Sequence, residues 1–254
     1  MNRSISDRAG NAALLVLVLL VNTLASIGVI NGQTTAAVSD RYPSPFTPAG
    51  FTFSIWSVIY LALIAFAVYQ ALSPQSSNAV LGKIGGWFKL SCAANVVWIL
   101  VWQFDFVVLS NAVMALLLLS LVMIYRQLQR VRDLLSVPQA LLLQLPFSLY
   151  LGWIVVATVA NLSVAQTALG LDDSGLDAVS WTLLKLAIVG AVAAVFALRL
   201  RDTAFVLVVA WAAFGISRGQ AATPAVAGAA TMLVVVALIL AAIAAFERVF
   251  TRQR

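Results

Sequence analysis

The chain has 254 residues, 63% of them hydrophobic and 9% charged, with a mean hydropathy of +1.02. Soluble domains carry about a quarter charged residues, so a soluble enzyme is excluded. With no histidine and one cysteine, Cys92, the chain cannot build a His-ligated haem or zinc site, a Cys–His pair or an internal disulfide. A net charge of +6 would fit nucleic acid only if the basic residues shared one soluble face. They fall in short loops, so no nucleic-acid partner is expected.

A helix needs about 20 apolar residues to cross a bilayer. Apolar windows lie at residues 12–30, 51–72, 86–102, 107–125, 140–162, 180–198, 204–216 and 225–246, with polar or Pro/Gly breaks between them. The fold class is therefore an all-α, polytopic membrane bundle of about eight transmembrane helices. The first window follows Arg3 and Arg8 but exceeds the 7 to 15 apolar residues of a cleaved signal core, so it reads as a retained helix. The seventh is the shortest and spans only by extending towards Gln220.

The charges set an orientation, because cytoplasmic loops collect Lys and Arg. With the N-terminus inside, 12 basic residues (Arg3, Arg8, Lys83, Lys89, Arg126, Arg130, Arg132, Arg199, Arg201, Arg248, Arg252 and Arg254) are cytoplasmic, against 3 (Arg41, Lys185 and Arg218) on the other side. Both termini are expected in the cytoplasm. Asp172, Asp173 and Asp177 share the outer loop before the sixth window. Lys89 and Lys185 sit near window ends and can snorkel; alternatively Lys185 turns inward and pairs with Asp105 or Asp177. So few buried ionisable groups do not make a proton-coupled pump.

Three segments combine aromatic and hydrogen-bonding residues. Before the second window, Pro43, Pro45 and Pro48 fall within six residues, which predicts a stiff, extended lid around Phe46. Phe53, Trp56 and Tyr60 follow at i, i+3 and i+7 and predict one helical face, although an interfacial aromatic belt gives the same pattern. The third window carries Asn95, Trp98 and Trp102. The fifth carries Tyr150, Trp153, Ala157 and Asn161, again at helical spacing, which simple helix packing also explains. Taken together, the three stripes have the composition of a pocket for a flat, largely apolar ligand.

The Pro-Phe-Thr-Pro lid followed by Phe-x-x-Trp-x-x-x-Tyr, the Asn-x-x-Trp of the third window, and Tyr-Leu-Gly-Trp followed by Ala-Thr-x-x-Asn resemble the translocator protein family. Its members are also called tryptophan-rich sensory proteins or peripheral benzodiazepine receptors. The resemblance covers about residues 12–165. It implies a five-helix bundle over 1–165 with an internal pocket for porphyrins such as haem and protoporphyrin, and in some members sterols. Carried onto this chain, it makes Pro45, Phe46 and Pro48 the lid, and Phe53, Trp56 and Tyr60 one wall. Asn95 and Trp98 form a second wall, and Tyr150, Trp153, Ala157 and Asn161 the third.

The chain also departs from that pattern. Arg41-Tyr42 stands where the family has Trp-Tyr, and Pro48-Ala49 where it has Pro-Pro. One residue fewer separates Phe53 from Trp56, which turns Trp56 by about 100°. Pro146 lies four residues before Tyr150 rather than next to it. The sterol-recognition pattern after the fifth helix is missing, and Leu121, Tyr125 and Arg130, which match it formally, read as an interfacial Tyr beside a basic loop. Residues 166–254 form an additional three-helix membrane segment without counterpart in the five-helix family. Its Ala-, Gly- and Val-rich faces allow packing on the first five helices or on a second copy, a homodimer.

The function expected is an integral protein of a bacterial-type plasma membrane that binds a hydrophobic small molecule, a tetrapyrrole, without catalysis, cofactor or metal. Other readings are a small-molecule transporter whose extra helices complete a path, and a structural membrane subunit. Porphyrin degradation is disfavoured by the missing loop tryptophan.

Overall fold

A computed structural model describes residues 3–172 and 175–251; Asp173, Arg252 and Arg254 lie outside the described residues. The described chain is helical: α1 (Ile5–Ser26), α2 (Thr35–Asp40), α3 (Ile55–Ala71), α4 (Ala79–Gln103), α5 (Val107–Gln129), a single turn α6 (Val137–Gln139), α7 (Leu145–Ala168), α8 (Ala178–Leu198), α9 (Thr203–Gly219) and α10 (Pro224–Thr251). Among the described residues, seven helical stretches are long and apolar enough to cross a membrane, and α9 is a shorter apolar eighth. The protein is an all-α integral membrane bundle.

Local chemistry starts these helices. Ser4 accepts from Asp7 N ahead of α1, Asn78 from Val80 N and Leu81 N ahead of α4, Asp177 from Ser180 N ahead of α8, and Asp202 from Phe205 N ahead of α9. Each occupies amide hydrogens that the first turn leaves without a partner. Ser136 and Gln139 form a capping box at α6. Between α6 and α7, residues Ala140–Gln144 widen into a π-helical turn in which Leu145 N reaches back to Ala140 O. Pro146, the second residue of α7, has no N–H to continue an ordinary ladder, and a π-turn is one way to absorb that loss.

Two compact units divide the chain: Met1–Val38 with Trp56–Leu151, and Ser39–Ile55 with Gly152–Arg254. In the first, α1 packs on α4 and α4 on α5. Phe66, Phe88 and Phe147 meet edge-on at the centre, with centroids 4.9 to 6.0 Å apart. At the α1 N-terminus Arg3 donates to Gln70 Oε1 (2.7 Å), Arg3 and Lys89 both pair with Asp7, and Arg8 donates to the Ala71 and Leu72 carbonyls. The expectation that Lys89 sits near a helix end is corrected: α4 begins at Ala79, which leaves Lys89 about three turns inside the helix, where it is an ion-pair partner of Asp7.

In the second unit α9 and α10 lie against each other and both touch α8. Small residues permit the close approach: a Cβ at Gly152 would sit 3.1 Å from Phe205 O, and one at Gly190 3.1 Å from Leu233 Cδ1. At about 1.5 Å per residue, the 17 residues of α9 span about 26 Å, short of a hydrocarbon core of about 30 Å. Most of its side chains from Phe205 to Ile216 are buried.

Candidate functional site

The first unit holds Trp56, Tyr60, Asn95, Trp98 and Tyr150. Trp56 is the second residue of α3 and Tyr60 lies four residues on, so the rings are neighbours on one face. They stack, with centroids 5.2 Å apart and planes at 22°, and Tyr150 of α7 meets Trp56 edge-on at 5.8 Å. Asn95 Nδ2 donates to Tyr150 Oη at 2.9 Å, and Asn95 Oδ1 accepts from Asn22 Nδ2 at 2.7 Å. Asn22 also donates to Val18 O at 2.9 Å. Two amides and a phenol therefore tie α1, α4 and α7 together inside an apolar bundle, where an unpaired polar group is costly. The Tyr60 hydroxyl oxygen is buried and has no hydrogen-bond partner among the described groups.

Trp98 follows Asn95 by one turn, and its ring stacks on Trp102 at 5.6 Å. Trp102 in turn donates its indole N–H to Thr35 O. Asn22 is a member of the cluster that the sequence patterns do not single out; its one local signal is an amide inside the apolar window 12–30.

The second unit holds Pro45, Phe46, Pro48, Phe53, Trp153, Ala157 and Asn161. The expectation of an extended lid is corrected. Thr47 N donates to Ser44 O at 2.9 Å and closes a turn with Pro45 at its second position, and Ser44 Oγ accepts from Phe46 N. Proline pre-sets φ for that turn position, so it folds the segment back instead of stretching it. Phe46 is fully buried, whereas Pro45 and Pro48 are half-buried. Phe53 is also corrected: it belongs to a 3₁₀ turn, Gly50–Ser54, ahead of α3, so the helical period linking Trp56 to Tyr60 does not extend back to it. Its ring meets Trp153 edge-on at 5.9 Å. Trp153 and Asn161 are buried on α7, with Ala157 half-buried between them.

Lys185 turns inward without taking either expected carboxylate. Its ammonium donates to Ser163 Oγ (2.9 Å) and Gln166 Oε1 (2.7 Å), while Asp177 is engaged as the α8 cap. Ser163 and Gln166 of α7 lie within hydrogen-bond reach of Lys185, about two turns into α8. Among the described residues no three His, Cys, Asp or Glu side chains come together. Both units gather ring surface, and the first adds oriented amide and hydroxyl groups.

The sequence model of the TSPO-like protein family matches residues 8–244. The chain belongs to this family. The match begins in α1 and ends in α10, so it continues past residue 165 and takes in α8 and α9. The aromatic and amide residues described above all lie inside the TSPO-like match. No curated protein and no solved structure matches the chain.

Proposed function

We propose that this TSPO-like membrane protein binds a flat, largely apolar ligand of the tetrapyrrole class, haem or protoporphyrin, and does not turn it over. The observation that carries this reading is the cluster of the first unit. There Trp56, Tyr60 and Tyr150 supply ring surface, Asn22 and Asn95 supply a fixed amide chain, and the Tyr60 hydroxyl is left with a proton to donate. Ligand sites combine mostly apolar walls with a few oriented polar groups, and a buried donor without a partner is satisfied by a ligand acceptor. On this reading residues 1–165 carry the binding function, residues 166–254 support it, and Pro45, Phe46, Pro48, Phe53, Trp98, Trp153, Ala157 and Asn161 are further ligand-contacting candidates.

The same proposal places the protein in a bacterial-type plasma membrane with both termini in the cytoplasm. Its partners are the bilayer and the small molecule, and the Ala225–Ala230 stretch leaves room for a second copy. Nucleic acid has no part in it.

The test is a titration of purified protein in lipid nanodiscs with protoporphyrin, followed by quenching of tryptophan fluorescence. Saturable quenching in the micromolar range is expected, weakened about fivefold in Tyr60→Phe, the ~1 kcal/mol of one hydrogen bond. Quenching that does not saturate in the wild type overturns the proposal. Saturable binding accompanied by porphyrin flux in proteoliposomes turns it into transport.

A further inference from the structure

Helix α9 carries two glycines one turn apart, Gly215 and Gly219, and both face the proline-rich segment of the same unit. A Cβ at Gly215 would lie 1.9 Å from Thr52 Oγ1, 2.6 Å from Thr52 Cγ2 and 2.8 Å from Thr52 Cβ. A Cβ at Gly219 would lie 2.7 Å from Ala49 N and 3.0 Å from the Pro48 carbonyl carbon. A Gly-x-x-x-Gly spacing in an apolar helix ordinarily lets a second helix approach. Here the groove receives the Thr52 side chain of the 3₁₀ turn at Gly215 and the irregular backbone of residues 47–49 at Gly219.

Hydrogen bonds complete the grip. Ala49 N donates to Gly215 O (2.9 Å), the Trp211 indole N–H donates to Thr52 O (2.9 Å), and Gln220 Nε2 donates to Thr47 O (2.9 Å) and Ser44 O (3.4 Å). The Phe51 ring packs on Trp211 and Phe214 at 5.6 and 5.7 Å. These contacts have a common cause. Prolines at positions 43, 45 and 48 interrupt the helical ladder; Thr47 N meets Ser44 O and Ile55 N meets Thr52 O locally. Irregular backbone in a membrane protein persists where protein supplies the remaining partners, here a donor to Thr47 O and second donors to Ser44 O and Thr52 O. Helix α9 and its C-cap residue Gln220 supply donors to three carbonyls and an acceptor to one amide, and Thr52 is fully buried.

We infer that α9 is the positioning element for the segment 39–54, with Trp211, Gly215, Gly219 and Gln220 as its positioning residues. The segment is a strap fastened to α9, and Phe46 and Phe53 stay in place only while that contact holds. The consequence for ligand rests on the proposed binding function; the strap itself does not.

The experiment is hydrogen–deuterium exchange of the full-length protein in nanodiscs, read on peptides covering 44–54, with protoporphyrin association rates measured on the same samples. In Gly215→Ala the new methyl collides with Thr52, and exchange of 44–54 is expected to rise at least tenfold while peptides of α4 and α5 keep wild-type rates. Adding Thr52→Ala removes the atoms at 1.9 and 2.6 Å, leaves the Cβ at 2.8 Å, and restores part of the protection, which a general loss of folding would not do. Trp211→Phe keeps the ring and deletes the N–H; it is expected to speed exchange around Thr52 by about fivefold, one hydrogen bond's worth. Unchanged exchange of 44–54 in both Gly215→Ala and Trp211→Phe overturns the inference, as does a rise that Thr52→Ala fails to reduce. If exchange responds as expected but the wild type binds no porphyrin, the strap stands and the ligand assignment falls.

Discussion

Breaking the Asn95–Tyr150 hydrogen bond is the sharpest probe of the amide and aromatic cluster. The bond is 2.9 Å long, Asn95 is fully buried and Tyr150 is 3% exposed, so water competes with neither group. Hydrogen bonds between membrane helices are worth about 0.6 kcal/mol on average and about 1.7 at most. Tyr150→Phe deletes one bond and strands an Asn95 amide hydrogen, for an expected loss of about 1 to 2 kcal/mol. Asn95→Ala deletes the bonds to both Tyr150 and Asn22 and empties the volume of a carboxamide, for about 2 to 3 kcal/mol. Asn22 keeps its bond to Val18 O, which limits the second loss. The diagnostic quantity is the non-additivity of the double mutant, expected at about 0.6 to 1.7 kcal/mol, measured by equilibrium unfolding in mixed detergent micelles. Asn111, whose amide bonds Val107 O of its own helix, serves as control: Asn111→Ala is expected to show no coupling to Tyr150→Phe. Additivity of Asn95→Ala and Tyr150→Phe within about 0.3 kcal/mol would refute the argument that the two side chains act as one unit.

Other consequences are open to measurement. Asp7→Asn is expected to cost about 1 to 3 kcal/mol, because it removes the charge shared by Lys89 and by Arg3, whose side chain is 5% exposed. Arg201→Ala is expected to change thermal stability by less than about 0.5 kcal/mol, since its pair with Glu247 is about 40% exposed on both sides. Metal-free protoporphyrin and haem are expected to bind within about threefold of each other, because a chain without histidine offers no imidazole to the iron and ring burial supplies the affinity. A fluorescent protein fused after Arg254 is expected to fold and fluoresce in the cytoplasm, and a phosphatase fused there to stay inactive; the reverse would contradict the positive-inside assignment.

The helices were largely legible, for a simple reason: crossing a bilayer demands about 20 apolar residues, and that demand writes itself into the sequence. Even the weakness of the seventh window corresponds to something real, the short, deeply buried α9. The lid was harder. Three prolines do restrict the chain, but proline restricts φ without deciding between an extended run and a turn, and the Ser44–Thr47 hydrogen bond settles it as a turn. Phe53 falls off the helical face because spacing alone cannot show where the α-helix begins. Asn22 and Gly215 were in plain view, but their partners Asn95 and Thr52 lie 73 and 163 positions away in the chain, and no local pattern joins them. Lys185 donates to Ser163 and Gln166 rather than to Asp105 or Asp177, because the packing of α7 beside α8 brings those side chains within reach and no local pattern shows which helices are neighbours.

Binding of a tetrapyrrole at the Trp56, Tyr60 and Tyr150 rings is tested most directly by photo-crosslinking with a diazirine-bearing protoporphyrin, followed by peptide mapping. Adducts on the peptides holding Trp56, Tyr60 and Tyr150, lost on addition of excess unmodified protoporphyrin, are the expected result. Adducts spread over the exposed residues of α10, such as Val235 and Ile239, and indifferent to competitor would contradict it.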